Sequence, residues 1–247
     1  MVGTVEANQH QTWASFEAIG PGIFLYHNVL SKDLNIVNTI ENYLASNNDG
    51  NKWLQALVGF EQTMLDYRDC FDFKWKPSLF GNKKLDANES SLVSMYDAAY
   101  EKQNEAVKHY CAMFNIGELQ YWESTNFVKY GPGQHFAHHV DHGFSYNCTV
   151  SLVGWPNDDY EGGELEFGMW GIKLKPQAGD LVIFPSNYMY PHRSLPVVSG
   201  TKYSLVTMLD YSDKYHTEEF RSYFYNGDKA PTASSNKKLD QFGIPRS

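Results

Sequence analysis

The stretch that decides the fold is His135-Phe136-Ala137-His138-His139-Val140-Asp141-His142, which holds four of the nine histidines in the chain. Side chains alternate between the two faces of a β-strand, so a strand here directs His139 and Asp141 to the same side. One imidazole and one carboxylate placed in this way can occupy adjacent positions on a metal ion. A third ligand must come from elsewhere in the chain, and His192 lies at the end of a later predicted strand.

The residue types of this set favour iron(II) over zinc. Two histidines and one carboxylate leave coordination positions open for O2 and a bidentate co-substrate. Catalytic zinc is more often held by three histidines or by an H-E-x-x-H helix, and the sequence contains no such motif. An alternative pair, His138 and His142, faces the opposite side of the same strand, but no downstream residue completes it as well.

The composition is that of a globular protein rich in aromatic residues. Of the 247 residues, 42% are hydrophobic and 15% are aromatic, and the net charge is −9. An acidic chain is a poor partner for nucleic acids and for anionic membranes, because both are bound through clustered Lys and Arg. The three cysteines, Cys70, Cys111 and Cys148, form no C-x-x-C motif. We therefore expect neither a disulfide framework nor a structural zinc site.

The amino terminus lacks the features of a targeting segment. Residues 1–20 carry Glu6, His10 and Glu17 and contain no continuous apolar run. A signal peptide needs an apolar stretch, and a membrane helix needs about 18 apolar residues in a row. We expect a soluble, cytoplasmic protein with no membrane partner.

The predicted elements are mainly helical before residue 119 and mainly strands after it. Residues 22–26 favour a strand, and Ser31 is a candidate N-cap of the helix that follows and extends to residue 46. A long irregular stretch is predicted at 68–90, and 92–114 favours a second helix. From residue 119 onward, short β-branched and aromatic runs alternate with turn signals. They predict strands near 124–130, 134–142, 146–153, 164–168, 171–174, 180–184, 189–192 and 202–210.

This order predicts a mainly β fold with supporting helices, in which a jelly-roll body is the core. The expected organisation is a single domain over 1–247. It comprises a helical support and loop region (1–118), the β core (119–211) and a carboxyl-terminal tail (212–247).

Four motifs in order resemble the prolyl 4-hydroxylase branch of the 2-oxoglutarate-dependent oxygenases. They are Tyr130-Gly131-Pro132-Gly133 leading into His139-Val140-Asp141, the turn and strand 158–165, the strand pair 176–185, and His192 with Pro196, Val197, Gly200, Thr201 and Lys202 after it. The match covers roughly 119–211. It implies a double-stranded β-helix, a cupin-like fold, with iron(II) held by His139, Asp141 and His192. It also implies 2-oxoglutarate as co-substrate, with ascorbate as a candidate further cofactor.

Lys202 is the expected partner of the co-substrate. 2-Oxoglutarate chelates iron through its keto acid end, so its far carboxylate must be fixed deep in the barrel. A buried carboxylate needs a charged or hydrogen-bonding partner, and a lysine supplies about 1.5–3 kcal/mol. The resemblance places Tyr130 as a second donor to that carboxylate, and Ser204 and Ser151 are weaker candidates.

The resemblance implies hydroxylation of a C–H bond with conversion of 2-oxoglutarate to succinate, and a prolyl residue of a peptide or protein is the first expected substrate. A lysyl residue, a free amino acid or another small molecule remains an alternative, as does a non-catalytic cupin-like metal-binding protein. The 68–90 stretch is a candidate substrate lid. Aromatic residues that are candidates for lining the pocket are Tyr121, Trp122, Tyr146, Trp155, Trp170, Tyr188 and Tyr190.

Overall fold

Two β-sheets face each other in the computed structural model, which describes residues 13–47, 50–58, 62–143, 147–214 and 216. The strands are β1 (Ser15–Gly20), β2 (Ile23–His27), β3 (Leu54–Gln55), β4 (Arg68–Asp69), β5 (Phe71–Trp75), β6 (Tyr121–Trp122), β7 (Thr125–Tyr130), β8 (His135–His139), β9 (Val150–Gly154), β10 (Glu161–Gly162), β11 (Leu165–Phe167), β12 (Ile172–Leu174), β13 (Leu181–Pro185), β14 (His192–Ser194), β15 (Val197–Ser199) and β16 (Lys202–Asp210). The helices are α1 (Ile36–Ser46) and α2 (Ala87–Phe114), with short 3₁₀ turns at Lys32–Leu34, Pro77–Phe80 and Gly168–Trp170.

The larger sheet has the strand order β1-β2-β13-β9-β16-β7-β5-β3, and β6 pairs with the end of β16. Its central strand, β16, pairs antiparallel with β7 on one side and β9 on the other. Alternate residues of β16 therefore point to the same face. Lys202, Ser204, Val206 and Met208 line the space between the sheets.

The smaller sheet has the order β12-β11-β14-β8-β4. In it, His192 on β14 lies opposite His139 on β8, whereas Ser194 lies opposite Phe136. A step of two residues along β14 thus corresponds to a step of three along β8. This irregularity is a β-bulge in β8, and it changes the direction in which the side chains of β8 point. Strands β10 and β15 pair antiparallel as a separate two-stranded sheet.

Both helices pack on the outer face of the larger sheet. Ile40 and Tyr43 of α1 and Leu92 of α2 are buried against Phe73 and Phe127. Burial of a side chain of this size contributes about 1.5–3 kcal/mol. The other face of the sheet is left for the cavity between the sheets.

The helix boundaries differ from those predicted at one end of each helix. Asp86 begins α2 with a capping box, in which Asp86 accepts from the Glu89 backbone and the Glu89 side chain accepts from the Asp86 backbone. The prediction that Ser31 caps α1 is wrong. Asn35 occupies that position, a 3₁₀ turn intervenes, and the Ser31 hydroxyl accepts a hydrogen bond from Lys102 at 2.9 Å.

The prediction that 68–90 is irregular is also wrong. β4 belongs to the smaller sheet beside β8, and β5 belongs to the larger sheet beside β7. The physical reason is a simple alternation, since Phe73 and Trp75 are buried while Asp72 and Lys74 point to the other face. The strand predicted at 22–26 is β2, whereas β1 before it was not predicted.

The prediction of a mainly β, jelly-roll fold with supporting helices is confirmed. Each predicted strand between 124 and 210 has a counterpart, although Met189–Pro191 lies before β14 instead of in it. Beyond residues 212–214 and 216, the predicted tail lies outside the described residues. Among the described helices, none combines the length and the apolar character needed to cross a bilayer. The cytoplasmic location stays a prediction.

Candidate metal centre

Three side chains from the smaller sheet and the residues that follow it converge in the space between the sheets. His139 ends β8, Asp141 follows it, and His192 begins β14. The Asp141 carboxylate lies 3.5 Å from His139 Nε2 through Oδ1 and 3.7 Å from His192 Nε2 through Oδ2. One potential ligand atom from each residue lies within 4.8 Å of the other two. These distances between potential ligand atoms are short enough for all three side chains to bind one metal ion.

Both imidazoles are turned so that the same nitrogen faces the centre. His139 Nδ1 donates to the Ala137 carbonyl at 2.9 Å, and His192 Nδ1 donates to the Tyr190 carbonyl at 3.1 Å. A carbonyl only accepts, so the proton of each neutral ring lies on Nδ1 and the Nε2 lone pair is free for a metal.

The charges at the centre suit a cation. Burial and the neighbouring His139 lower the pKa of His192 to about 4, which keeps this imidazole neutral at pH 7. Burial alone would raise the pKa of Asp141, but the neighbouring His192 and His139 and the hydrogen bond from Ser151 bring it below its ordinary value. The site therefore presents one carboxylate and two imidazole nitrogens, of which that of His192 is neutral.

The alternative pair His138 and His142 is not brought together. His138 Nε2 lies 3.9 Å from Glu166 on the far side of the smaller sheet. The His142 ring instead contacts the backbone of Cys148. Among the described residues, the set His139, Asp141 and His192 is the group of three metal-binding side chains that the fold assembles.

Lys202 lies deep in the same cavity and is almost fully buried. Its Nζ donates to the Gly163 carbonyl at 2.7 Å and to Ser194 Oγ at 2.8 Å. No carboxylate of the described residues lies within ion-pair distance of this nitrogen, and burial lowers the pKa of Lys202 to about 7. A buried ammonium without an anion is unfavourable, so the position favours an anionic ligand.

Tyr130 is paired with Lys202 across β7 and β16, and its ring centroid lies 4.9 Å from Lys202 Nζ. Burial raises the pKa of Tyr130 well above its ordinary value, so the phenol stays a hydrogen-bond donor. Ser204 Oγ and Trp155 Nε1 line the same cavity, are buried and have no partner in the described part of the chain. Ser151, by contrast, donates to Asp141 Oδ2 at 2.6 Å and does not line the cavity.

These residues enclose a cavity of about 550 Å³ that reaches from Lys202 past the three candidate ligands to an open mouth. Of the aromatic residues predicted to line it, Trp155 does, and Tyr146 lies outside the described residues. Tyr121, Trp122, Trp170, Tyr188 and Tyr190 are not on its wall.

Part of the 68–90 stretch, Arg68 and Lys74, lines the cavity, and so does part of the segment before β4. Leu57, Val58 and Tyr67 line this side of the cavity. Tyr67 is fixed to β8, because its hydroxyl donates to the His138 carbonyl at 3.0 Å and its own carbonyl accepts from the Ala137 amide at 2.7 Å. The residues predicted as a lid include strand β5, a 3₁₀ turn and the start of α2.

Several contributors to the site were missed from the sequence. Phe136, Arg68 and Tyr67 border the cavity, and Ser186 and Cys148 lie behind Asp141. The bulge brings Phe136 to the ligand face, and a pattern of strict alternation gives no sign of it. Ser186 directly follows strand β13, and only the packing of β13 against β9 shows where it lies.

The arrangement fits iron(II) and 2-oxoglutarate. Two imidazole nitrogens and one carboxylate are a ligand set that iron(II) accepts with positions left open. The buried ammonium of Lys202 and the unpartnered hydroxyl of Ser204 are donors for a carboxylate in the same cavity.

Comparison with known proteins agrees with this arrangement. Residues 125–209 match the family model described as the 2OG-Fe(II) oxygenase superfamily. A PKHD-type hydroxylase of Colwellia psychrerythraea is 39% identical over 66 residues, which cover 26% of this chain and 28% of that protein. The mouse procollagen-lysine,2-oxoglutarate 5-dioxygenase 1 is 30% identical over 87 residues, which cover 34% of this chain and 12% of that protein. The matches therefore span well under two thirds of these relatives.

A solved prolyl hydroxylase of Trichoplax adhaerens, in complex with a peptide fragment of hypoxia inducible factor, has the same fold. The TM-score is 0.61 at 14% sequence identity, over 81% of this chain and 86% of that one. The β core that carries the candidate metal centre thus matches the model of the 2OG-Fe(II) oxygenase superfamily over residues 125–209, about a third of the chain. Within that superfamily, the chain is similar to the prolyl hydroxylases and the PKHD-type hydroxylases.

Proposed function

We propose that this protein is an Fe(II)- and 2-oxoglutarate-dependent dioxygenase that hydroxylates a C–H bond, with a prolyl residue of a peptide or protein as its first expected substrate. One observation carries the proposal: a buried lysine without a carboxylate partner in the described residues lies in the same cavity as two histidines and one carboxylate. A non-catalytic metal-binding barrel has no need of that cation, so Lys202 favours the enzyme.

The residues of the chain have separate tasks in this proposal. His139, Asp141 and His192 would hold iron(II), and Lys202, with Tyr130 and Ser204 beside it, would bind the far carboxylate of 2-oxoglutarate. When bound, iron and 2-oxoglutarate would supply the activation of O2: one oxygen atom would enter the C–H bond of the substrate and the other the succinate that 2-oxoglutarate becomes on losing CO2. The apolar wall at Val153, Leu165 and Val206 excludes water from the reacting centre.

The substrate would reach the centre past the segment before β4. Several apolar side chains there are exposed: Leu54 (54%), Leu57 (42%), Met64 (36%) and Leu65 (52%). Exposed apolar side chains beside a cavity mouth favour a substrate that extends outside the cavity, as a peptide does. The prolyl hydroxylase neighbour holds a peptide, whereas one relative is named for procollagen lysine, so a lysyl residue is the second candidate.

The metal site is tested first without any substrate. Iron(II) and 2-oxoglutarate added anaerobically should give a weak visible charge-transfer band, because the co-substrate chelates the metal. His139→Ala, Asp141→Ala and His192→Ala should each abolish it. Full iron affinity and an unchanged band in all three variants would show that the ligands are other residues.

The activity is tested with the iron-loaded protein, 2-oxoglutarate and a panel of proline-rich and lysine-containing peptides, with and without ascorbate. The expected result is succinate together with a peptide mass gain of one oxygen atom. A free amino acid turned over faster than every peptide would overturn the peptidyl assignment but not the use of iron and 2-oxoglutarate.

A further inference from the structure

A serine fixes one oxygen of the candidate metal-binding carboxylate. Ser151 Oγ lies 2.6 Å from Asp141 Oδ2, and Ser151 is fully buried in the middle of β9. The geometry makes Ser151 the donor and the carboxylate oxygen the acceptor of this hydrogen bond. The single hydroxyl proton of Ser151 is therefore directed at Asp141.

Two further buried side chains stand behind this serine. Ser186 Oγ lies 2.7 Å from Ser151 Oγ, and Cys148 Sγ lies 2.9 Å from Ser186 Oγ. With the proton of Ser151 engaged, Ser186 must donate to Ser151 and Cys148 to Ser186. The three groups form one directed chain, and each bond polarises the next.

The backbone holds the chain in place. The Ser186 carbonyl accepts from the His142 amide at 3.0 Å, and the Ser186 amide donates to the Thr149 carbonyl at 3.1 Å. Ser186 is thus bonded both to the residue after Asp141 and to the residue that directly precedes the strand of Ser151. The position of Oδ2 is set by two chain segments at once.

We propose that Ser151, supported by Ser186 and Cys148, is a positioning residue that keeps Asp141 a one-oxygen ligand of the metal. Oδ2 accepts the hydrogen bond from the serine. Oδ1, which lies 3.5 Å from His139 Nε2, remains available to bind the ion. A carboxylate free to rotate would bind with both oxygens and fill a position that O2 and the co-substrate need. The inference rests on the proposed metal site but not on any substrate.

The test measures cobalt(II) and iron(II) binding to the full chain without substrate. Ser151→Ala should weaken metal binding roughly 10- to 100-fold, the usual effect of removing a hydrogen bond to a ligand. It should also change the visible spectrum of the cobalt(II) protein, because the carboxylate gains a second bond to the ion. Ser186→Ala should shift both readouts in the same direction and by less. Ser151→Thr, which keeps the hydroxyl, should restore the wild-type spectrum.

Thr207→Val is the matched control. Thr207 is a buried hydroxyl on the neighbouring strand, and it bonds Thr125 at 3.1 Å, away from the cavity. Its loss should cost stability without changing metal affinity or spectrum. If folded Ser151→Ala and Ser186→Ala both bind cobalt(II) with the wild-type affinity and spectrum, the proposal is wrong. If Ser151→Ala does not fold, Ser186→Ala decides in its place. A wild-type protein that binds no metal would overturn the metal site itself, which is a separate result.

Discussion

The His139 imidazole lies face to face with the Phe136 ring, with centroids 3.7 Å apart and planes 13° apart. Ordinary alternation would put these two residues on opposite faces of β8, and the bulge puts them on the same one. The guanidinium carbon of Arg68 lies 4.8 Å from the centroid of the same phenyl ring. The orientation of the His139 ring is thus held by two contacts, the stacked Phe136 ring and the hydrogen bond from His139 Nδ1 to the Ala137 carbonyl.

Phe136→Leu should therefore weaken iron binding without removing a ligand. Loss of an aromatic contact is worth about 0.5–1.5 kcal/mol, or at most roughly tenfold in affinity. Isothermal titration with iron(II) under argon measures the change. Phe71→Leu is the control, since Phe71 is an exposed phenylalanine outside the cavity wall. Equal affinity in both variants would show that the stack does not orient His139.

Lys202→Ala should raise the concentration of 2-oxoglutarate needed for half-saturation by about one to two orders of magnitude. The reason is the loss of roughly 1.5–3 kcal/mol from a charged hydrogen bond to the far carboxylate. Iron affinity should change little, because Lys202 is not one of the three ligands. Lys202→Arg should rescue in part, since the charge is kept while length and shape differ. An unchanged requirement in Lys202→Ala would place the far carboxylate elsewhere.

Co-substrate binding should depend on pH through Lys202. Burial brings the pKa of Lys202 to about 7 without an anion, and the bound carboxylate requires the charged form. Below pH 7 the lysine is already charged, whereas above it binding must take up a proton. Affinity for 2-oxoglutarate should therefore fall as pH rises from 7 to 9, by up to about tenfold per unit. Titrations in two buffers of different ionisation heat detect the proton, and Lys202→Arg should show no such uptake.

Substitutions at the mouth should affect the peptide and spare the co-substrate. Leu54 and Leu65 are exposed and lie outside the cavity wall. Replacing both with Ser should raise the peptide KM by roughly tenfold, because apolar contact area is lost. The affinity for 2-oxoglutarate should stay the same. Met169→Ser is a matched control, since Met169 is equally exposed (58%) on the 3₁₀ turn after β11. Loss of both affinities in the Leu54 and Leu65 variant would mean that this segment is structural.

The strand pattern after residue 119 was visible in the sequence because turn residues separate short β-branched runs, and the spacing of those runs set the fold. The alternation of Phe71, Phe73 and Trp75 is an equally clear signal for β5, although an irregular stretch is predicted there from the proline and glycine that follow. The resemblance indicated Lys202, and alternation along β16 then placed Ser204 on the same face of the strand, where both line the cavity.

Other features depend on contacts that no local pattern encodes. Ser151 was selected as a residue facing the co-substrate, yet its hydroxyl points at Asp141. The choice between these two partners depends on how β9 sits against the end of β8. The bulge that brings Phe136 to His139 depends on pairing with β14, a strand far away in the sequence.

The candidate iron ligands and Lys202 lie on opposite sides of the cavity, the former on the smaller sheet and the latter on the larger. Packed sheets keep a nearly constant separation of about 10 Å. The Lys202 ammonium is held at its own depth by Gly163 and Ser194, so it has little freedom to follow a shorter or longer molecule. We therefore expect the site to select dicarboxylates by length: a 2-oxo acid with one methylene fewer should not reach both the metal and Lys202, and one with an extra methylene should have to bend to fit between them.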